Sequence, residues 1–420
     1  MADTVESNSL IGWLVDPLQD TSDAAESSYR FSGDRRAWIA PLALGLALLG
    51  VSVIGWVLDP AQFYFSYLAG WAFLLTTAVG GTFFLLFQHL TRAAWSVVVK
   101  RINEALVWAF PLLFLLGLPL LFGLHDLYHW THESLYDPSS PEYDEILAGK
   151  RAYLNLPFWG ARIVLYFAVW SYLTYRLYTL SVKQDVEADP DIPARLRTVS
   201  AWGLPVLAVT TAFASYDILM STDPHWFSTI FGVYFFSGGI LAAVSAIAFL
   251  ALVLQHSGGM LTNVITLEHY QDLGKYMFGF VVFWAYIAFS QYMLYWYGGI
   301  PEEIAWYQHR LMGGWGWHSA MLLLLHFVLP FFILLPRFTK RIPFLLSIMA
   351  VWLIGMHWFD MHWVVLPVHD TNAGFHWLDF TCWLGLTGVF VGALMYRLAR
   401  HPLVPQNDPY LADSLHFENT

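Results

Sequence analysis

The sequence predicts an all-α integral membrane protein with ten transmembrane helices. Hydrophobic residues make up 57% of the chain and charged residues only 12%, whereas a soluble domain carries about 25% charged residues. Ten mostly apolar runs are each long enough to cross a bilayer as a helix. These runs are 37–58, 64–90, 104–124, 158–182, 199–222, 226–254, 272–297, 315–335, 343–365 and 376–400.

The basic residues are divided unequally between the two ends of these runs. An even number of spans places both termini on one side, and that side receives sixteen of the 20 Lys and Arg residues. The other side receives only Lys150, Arg151, Arg162 and Arg310. Because short basic loops stay in the cytoplasm, we predict that both termini are cytoplasmic.

Repeated features indicate an internal duplication of four helices. Gln-His pairs at 88–89 and 255–256 end the second and sixth spans, and each of these spans also carries a Gly pair. An offset of four helices keeps both halves in the same direction, which predicts a parallel repeat. The predicted segments are a polar N-terminal segment 1–36, a flanking first span within 37–63, a first four-helix bundle 64–222, a second four-helix bundle 226–365, a flanking tenth span 376–400 and a C-terminal tail 401–420.

The cysteine count restricts the redox chemistry of the chain. A single residue, Cys382, cannot form an internal disulfide, hold an iron–sulfur cluster or attach a c-type haem. The histidines of the spans do not offer the matched pairs that a di-haem bundle needs. We therefore expect no haem or iron–sulfur cluster in this chain, and the acidic net charge of −11 gives no reason to expect nucleic acid binding.

Ionisable side chains at membrane depth are candidates for function because burying them is expensive. Asp217 lies near the outer end of the fifth span, and Arg162 in the fourth span is its predicted counter-ion. In the ninth span, His357 and Asp360 are three residues apart and share a helix face. We predict that Asp217, Asp360 and His357 accept or relay protons; the alternative is a structural role for each.

A proton path through the membrane would need further groups. His326 near the midplane, His318 near the outer end and Asp379 in the tenth span are candidates for it. Glu104 and Asp272 are placed in the first turns of the third and seventh helices, where the helix dipole favours an acid. The alternative is a functional role, in which these two acids form a proton entrance from the cytoplasm.

The longest outer loop, 125–157, is acidic and contains three histidines. His125, His129 and His132 have helical spacing, which is a weak indication of metal binding. A solvated acidic loop that docks a partner protein is the favoured interpretation, so no metal site is predicted. The neighbouring Asp223-Pro224 pair is interpreted as the cap and first position of the sixth span.

Three segments resemble the polysulfide-reductase-type (NrfD-like) family of membrane subunits. Within that family they are most similar to the second quinone-binding-type membrane subunit of bacterial alternative complex III. The segments are QHLTRA at 88–93, ASYDILMSTDPHWFSTIFG at 214–232, and DLGK at 272–275 with its continuation FWAYIAFSQY at 283–292 and IPEE at 300–303.

The resemblance implies a fold, a function and partners. It implies two four-helix bundles with flanking helices in a bacterial inner membrane. It implies a subunit of a quinol:electron-acceptor oxidoreductase that oxidises menaquinol or a similar quinol. The implied partners are a paralogous membrane subunit, an iron–sulfur subunit, multihaem cytochrome c subunits and, in some assemblies, a terminal oxidase.

Three functions remain open from the sequence. The chain contributes a quinone site, a proton-conducting path or both; or it is a non-catalytic scaffold that anchors the peripheral redox subunits. A stand-alone proton-coupled transporter that uses the same buried acids is the third and least favoured function.

Overall fold

The computed structural model describes residues 29–370 and 373–419, apart from the side chains of residues 257 and 258. Most of the predicted N-terminal segment, 1–28, lies outside the described residues. The described chain is helical and contains no strand. The prediction of ten membrane-spanning helices is confirmed, with the following bounds: Ile39–Leu58, Pro60–Thr91, Ala94–Leu127, Leu156–Glu187, Ile192–Thr222, Phe231–His256, Leu267–Gly298, Trp315–Leu334, Pro343–Val368 and Trp377–Leu398.

Two helix starts differ from the sequence prediction, and both change the interpretation of an acid. The third span begins at Ala94 and the seventh at Leu267, so Glu104 and Asp272 do not lie in the first turns of these helices. The dipole explanation for both acids is therefore wrong. Apolarity does not mark these starts, because Lys100 and Arg101 interrupt the apolar run of the third span and the seventh span begins with polar residues.

The start of the sixth span was also predicted too early. The helix begins at Phe231, and residues 223–230 form an irregular turn, so the Asp223-Pro224 pair does not cap it. The indole of Trp226 stacks on Trp306 with ring centroids 4.4 Å apart, and the backbone N–H of Trp226 donates to the carbonyl oxygen of Asp223. This burial of Trp226 holds the segment as a turn.

The second and sixth spans form the centre of the molecule. In their most apolar stretches 89% and 72% of the residues are buried, compared with 17% for the first span. The second span also contacts the fifth, ninth and tenth spans, and the sixth contacts the fifth, seventh and ninth. Many large apolar side chains of the outer spans are exposed, as expected where helices face lipid chains.

The Gly pairs lie where these two central helices cross. A Cβ atom added to Gly80 would lie 2.3 Å from the backbone of Gly239, and one added to Gly239 would lie 2.2 Å from the carbonyl oxygen of Thr76. Small residues allow this close backbone approach between membrane helices. The second span contacts the ninth and the sixth contacts the fifth, which is the reciprocal exchange that a parallel two-fold repeat requires.

The flanking helices and the tail complete the fold. The first span packs along the tenth, and a Cβ on Gly45 would lie 2.5 Å from the backbone of Val389. The C-terminal tail folds back beneath the basic side of the first bundle. Its Asp408 carboxylate lies 3.1 Å from the ammonium of Lys100, and its Gln406 N–H donates to the carboxylate of Asp185.

Candidate functional site

The negative charge of Asp217 in the fifth span is compensated by neighbouring side chains. The guanidinium of Arg162 donates from Nε and Nη2 to the two carboxylate oxygens of Asp217, at 2.8 and 2.7 Å. The hydroxyl of Tyr166 donates to the same carboxylate at 2.7 Å. The structure therefore brings together the predicted pair, and its geometry is that of a two-pronged ion pair. Such a pair joins the fourth and fifth spans.

Asp360 in the ninth span has a different environment. It is fully buried, and its carboxyl group accepts hydrogen bonds from the hydroxyl of Tyr234 and from the indole Nε1 of Trp284, the latter at 2.9 Å. Among the described residues no cation lies within 4 Å of it. A buried carboxylate that lacks a counter-charge is far more expensive than a paired one. Asp360 therefore differs from Asp217 in charge compensation, although both lie at similar positions in the two halves.

His357 lies beside Asp360 and reaches the second span. Its Nε2 is 2.7 Å from the hydroxyl oxygen of Thr76, while its Nδ1 has no hydrogen-bond partner in the described part of the chain. A Cβ on Gly238 would lie 2.8 Å from that Nδ1 and 3.4 Å from Oδ2 of Asp360. The imidazole and the carboxyl group therefore flank the same glycine, and no direct hydrogen bond joins them.

His326 lies on the opposite side of Trp284. Its ring centroid is 4.1 Å from that of Trp284, and neither ring nitrogen has a hydrogen-bond partner among the described residues. It belongs to a π-helical segment, Leu322–Val328, inside the eighth span. Such segments are frequent at functional sites because they displace side chains from the regular helical register. Trp284 therefore contacts both His326 and Asp360.

A second cluster lies nearer the outer face. The Nε2 of His362 is 3.2 Å from the Asp379 carboxylate, which also accepts from the Ser66 hydroxyl at 2.6 Å and from the His376 N–H at 2.7 Å. His318 lies 6.0 Å from His362 between ring centroids. The structure brings His318 and Asp379 together through His362. The bond from His376 also makes Asp379 part of the helix cap of the tenth span.

The two acids that were predicted to form a proton entrance, Glu104 and Asp272, do not join either cluster. Glu104 lies 3.2 Å from the guanidinium of Arg101, which also pairs with Asp185 at 2.7 Å. Asp272 pairs with Lys275 at 2.7 Å. Both acids therefore have local basic partners on their own helices, and within the described part of the chain no hydrogen bond or ion pair joins them to Asp360 or His357.

The outer loop 125–157 packs onto the turn that precedes the sixth span. His225 Nε2 lies 2.6 Å from the carboxylate of Asp144, and the ammonium of Lys150 donates to the carbonyl oxygen of Pro224 at 2.7 Å. Partial burial opposes ionisation of Asp144, but the hydrogen bonds from Leu147 N–H and His225 hold its pKa below the ordinary value.

The three histidines of this loop do not form one helical face. The chain is extended at Tyr128, which separates His125 from His129. His132 lies near both, with ring centroids 5.3 Å from His125 and 5.6 Å from His129. Within 29–370 and 373–419 no group of three metal-ligating side chains is arranged to hold an ion.

A lateral groove of about 590 Å³ lies between the eighth, ninth and tenth spans. Its wall includes Trp352, which is exposed on the lipid-facing surface, and the stacked indoles of Trp358 and Trp383, whose centroids are 4.2 Å apart. Phe359 also lines the groove, and its ring lies parallel to that of His318 at 5.5 Å. The groove therefore connects the lipid-facing surface with the edge of the outer cluster.

Sequence reasoning missed three side chains of the site. Tyr234, Trp284 and Thr76 are uncharged, so a search for ionisable groups at membrane depth passes over them. Two weak sequence signals exist: Tyr234 lies four residues before Gly238 and therefore on the same helix face, and Trp284 lies in the segment 283–292 that carries the family resemblance. Arg310 was counted only as an outer basic residue, yet it is buried, stacks on Trp306 at 3.5 Å and donates to the carbonyl oxygen of Val364.

Comparisons with known proteins leave the family open. No known family model matches the chain, and no curated protein is significantly similar to it. The family resemblance therefore stays a prediction that rests on the three sequence segments. What the structure establishes is a multi-pass helical membrane protein with two polar clusters buried in its second half.

Proposed function

We propose that this chain is a membrane subunit of a bacterial quinol:electron-acceptor oxidoreductase, of the alternative complex III type, in which the second bundle transfers protons. The single observation that carries the proposal is the environment of Asp360. The Asp360 carboxyl group is fully buried, accepts hydrogen bonds only from uncharged donors and lies beside the imidazole of His357. One of these donors, Trp284, also contacts the imidazole of His326. General acid–base groups in proteins are built from such carboxyl and imidazole side chains.

The contrast with Asp217 narrows the proposal to the second bundle. The Arg162 guanidinium compensates Asp217 in place, so that carboxylate stabilises helix packing. Asp360 has only Tyr234 and Trp284 as partners, and both are uncharged. Proton exchange at Asp360 therefore breaks no ion pair, whereas proton exchange at Asp217 would leave a buried guanidinium unpaired.

The lateral groove supports a quinol as the substrate. Oxidation of a quinol releases two electrons and two protons. An apolar groove that opens toward the lipid suits a prenyl tail, and its inner end adjoins His318, whose imidazole accepts a proton from a hydroxyl group. The electrons pass to the iron–sulfur and multihaem cytochrome subunits, since this chain carries a single cysteine, Cys382.

The orientation follows from the basic residues. The positive residues concentrate at those span ends that lie on the same side as both termini. By the positive-inside rule, that side faces the cytoplasm in the proposed bacterial inner membrane. The outer cluster of His318, His362 and Asp379 then lies near the periplasmic face. Protons released there leave on the positive side of the membrane.

The test is the substitution Asp360→Asn in the assembled complex, with quinol oxidation and proton release measured in proteoliposomes. The amide keeps the size and one acceptor of the carboxyl group but cannot exchange a proton. We expect proton release to fall by about 100-fold or more, the range for loss of a general acid–base group. Asp191→Asn, on the exposed cytoplasmic side, is the matched control and should leave both rates unchanged.

Unchanged rates in the Asp360→Asn complex, with all subunits retained, would overturn the proton-transfer role. The scaffold function would then remain, supported by the docked outer loop 125–157 and its acidic surface. The transporter function would be favoured if the chain, purified alone and without cytochromes, moved protons.

A further inference from the structure

A small basic pocket lies on the cytoplasmic side of the first bundle, away from both polar clusters. It has a volume of about 50 Å³ and lies between the ends of the second, third and fifth spans and the C-terminal tail. A cavity needs only about 10–15 Å³ to hold one water molecule. The pocket therefore has room for a tetrahedral oxyanion such as a phosphate group.

Its lining carries more positive than negative charge. Arg92, Lys100 and Arg197 line the pocket, and Asp408 is the only carboxylate among the lining residues. Asp408 is already paired with Lys100 at 3.1 Å. Neither Arg92 nor Arg197 has a carboxylate within 4 Å in the described part of the chain. Two guanidinium groups therefore remain available to an anion.

Buried polar atoms in the wall also need a partner. Asn103 is 2% exposed, and its Nδ2 donates to the carbonyl oxygen of Gly81, while no described residue donates to its Oδ1. The buried Nε2 of His89 also has no partner among the described residues. Buried polar groups in native proteins are almost always satisfied. Both atoms are closed to solvent, so the two guanidinium groups, and not these atoms, select the ligand of the pocket.

The backbone around Arg92 is held in an unusual conformation. Its φ angle is 51°, in the left-handed region that residues other than glycine rarely adopt. The residue ends the second span, and the N–H of Ala93 bonds back to the carbonyl oxygen of Gln88. This turn places the Arg92 side chain at the exposed rim of the pocket, while Lys100 lies inside it.

We propose that the pocket binds the phosphate group of an anionic phospholipid from the cytoplasmic leaflet. The pocket lies at the ends of spans, at the depth of lipid headgroups, and basic pockets between membrane helices on this side are suited to anionic headgroups. Arg92 and Arg197 pair with the phosphate oxygens. Phosphatidylglycerol and inorganic phosphate both supply such an oxyanion, whereas the choline of phosphatidylcholine offsets its negative charge.

The test uses the protein purified with its co-purifying subunits, stripped of weakly bound lipid and examined by native mass spectrometry. Phosphatidylglycerol, phosphatidylcholine or inorganic phosphate is then added back. We expect the wild-type protein to retain one phosphatidylglycerol and the double variant R92Q/R197Q, which loses both guanidinium groups, to bind it at least about tenfold more weakly, since one charge-assisted hydrogen bond alone contributes about that factor. The double variant R92K/R197K should retain part of the affinity.

The matched control is R36Q/R176Q, which removes two exposed basic residues on the same side but outside the pocket. It should retain the lipid. Inorganic phosphate that binds and competes with the lipid would support the oxyanion chemistry of the pocket. The proposal is overturned if R92Q/R197Q and R36Q/R176Q lose lipid equally, if phosphatidylcholine binds as well as phosphatidylglycerol, or if a co-purified chain fills the pocket.

Discussion

Arg162 and Asp217 form a two-pronged ion pair between the fourth and fifth spans, with both N···O distances below 3 Å. Asp360, which lies at a similar place in the second half, has no such partner among the described residues. The two halves of the repeat therefore treat a buried acid in opposite ways. One half pairs it with a cation, and the other leaves it among neutral donors.

The ion pair makes a prediction about stability. Arg162→Gln leaves the Asp217 carboxylate buried without its cation, and we expect a loss of about 3–5 kcal/mol in the free energy of unfolding. The double variant Arg162→Gln/Asp217→Asn removes both charges and should recover much of that loss. Thermal unfolding of the purified protein in detergent measures both. A double variant as unstable as the single one would mean that the charges do not act as a pair.

The helix crossing at Gly80 and Gly239 makes a prediction about packing. Gly80→Ala or Gly239→Ala places a Cβ within 2.4 Å of the facing backbone, which must move apart. We expect each substitution to cost about 1–3 kcal/mol of stability, as overpacking does. Gly279→Ala is the matched control, because nothing lies within 4 Å of its added Cβ. The control should be neutral or stabilising, and an equal effect at all three sites would contradict the close crossing.

Trp284 makes a prediction about proton transfer. Trp284→Phe removes the indole N–H that donates to Asp360 and keeps an aromatic ring beside His326. We expect proton release by the assembled complex to fall while the subunits stay together. Trp296→Phe, on the same span but 69% exposed, should have no effect. Equal rates for the two variants would remove Trp284 from the proposed path.

The contact between Asp144 and His225 makes a prediction about pH. Because hydrogen bonds hold the pKa of Asp144 below its ordinary value of 3.8, its contribution to loop docking is complete above that value. The contribution is lost as the pH falls through the lower pKa of the folded state. Hydrogen exchange in 144–150 should therefore be unaffected by this group between pH 5 and pH 7.

The variant Asp144→Asn should increase hydrogen exchange in the same segment at pH 7, because it removes the charge that faces His225. Glu142→Gln, an exposed neighbour in the loop, is the control and should leave exchange unchanged. If the two variants exchange alike, the contact between Asp144 and His225 does not hold the loop.

Several features of the site were predictable from the sequence, and others were not. Arg162 was identified as the partner of Asp217 because both lie near the outer ends of neighbouring helices. His357 and Asp360 were identified from their spacing, which places them on one face. Tyr234 was not identified, because it lies 126 residues from Asp360 in sequence and no periodicity connects two different helices.

The positions of Glu104 and Asp272 within their helices were predicted wrongly. Glu104 and Asp272 were assigned to helix starts because apolar runs begin near them. The helices begin earlier, on the far side of charged or polar residues that interrupt the apolar pattern, so an apolar run does not mark the whole helix. Glu104 in fact pairs with Arg101, which also pairs with Asp185 near the C-terminal end of the fourth span.

The sequence by itself determined that this chain crosses a membrane ten times, because a long apolar segment in lipid must satisfy its own backbone hydrogen bonds and only a helix does so. It also indicated which ionisable groups lie within the apolar helices. Only the tertiary structure decided which of those groups have their charge compensated by a neighbouring side chain. Compensation depends on distances of a few ångströms between side chains of different helices, and helix packing sets those distances.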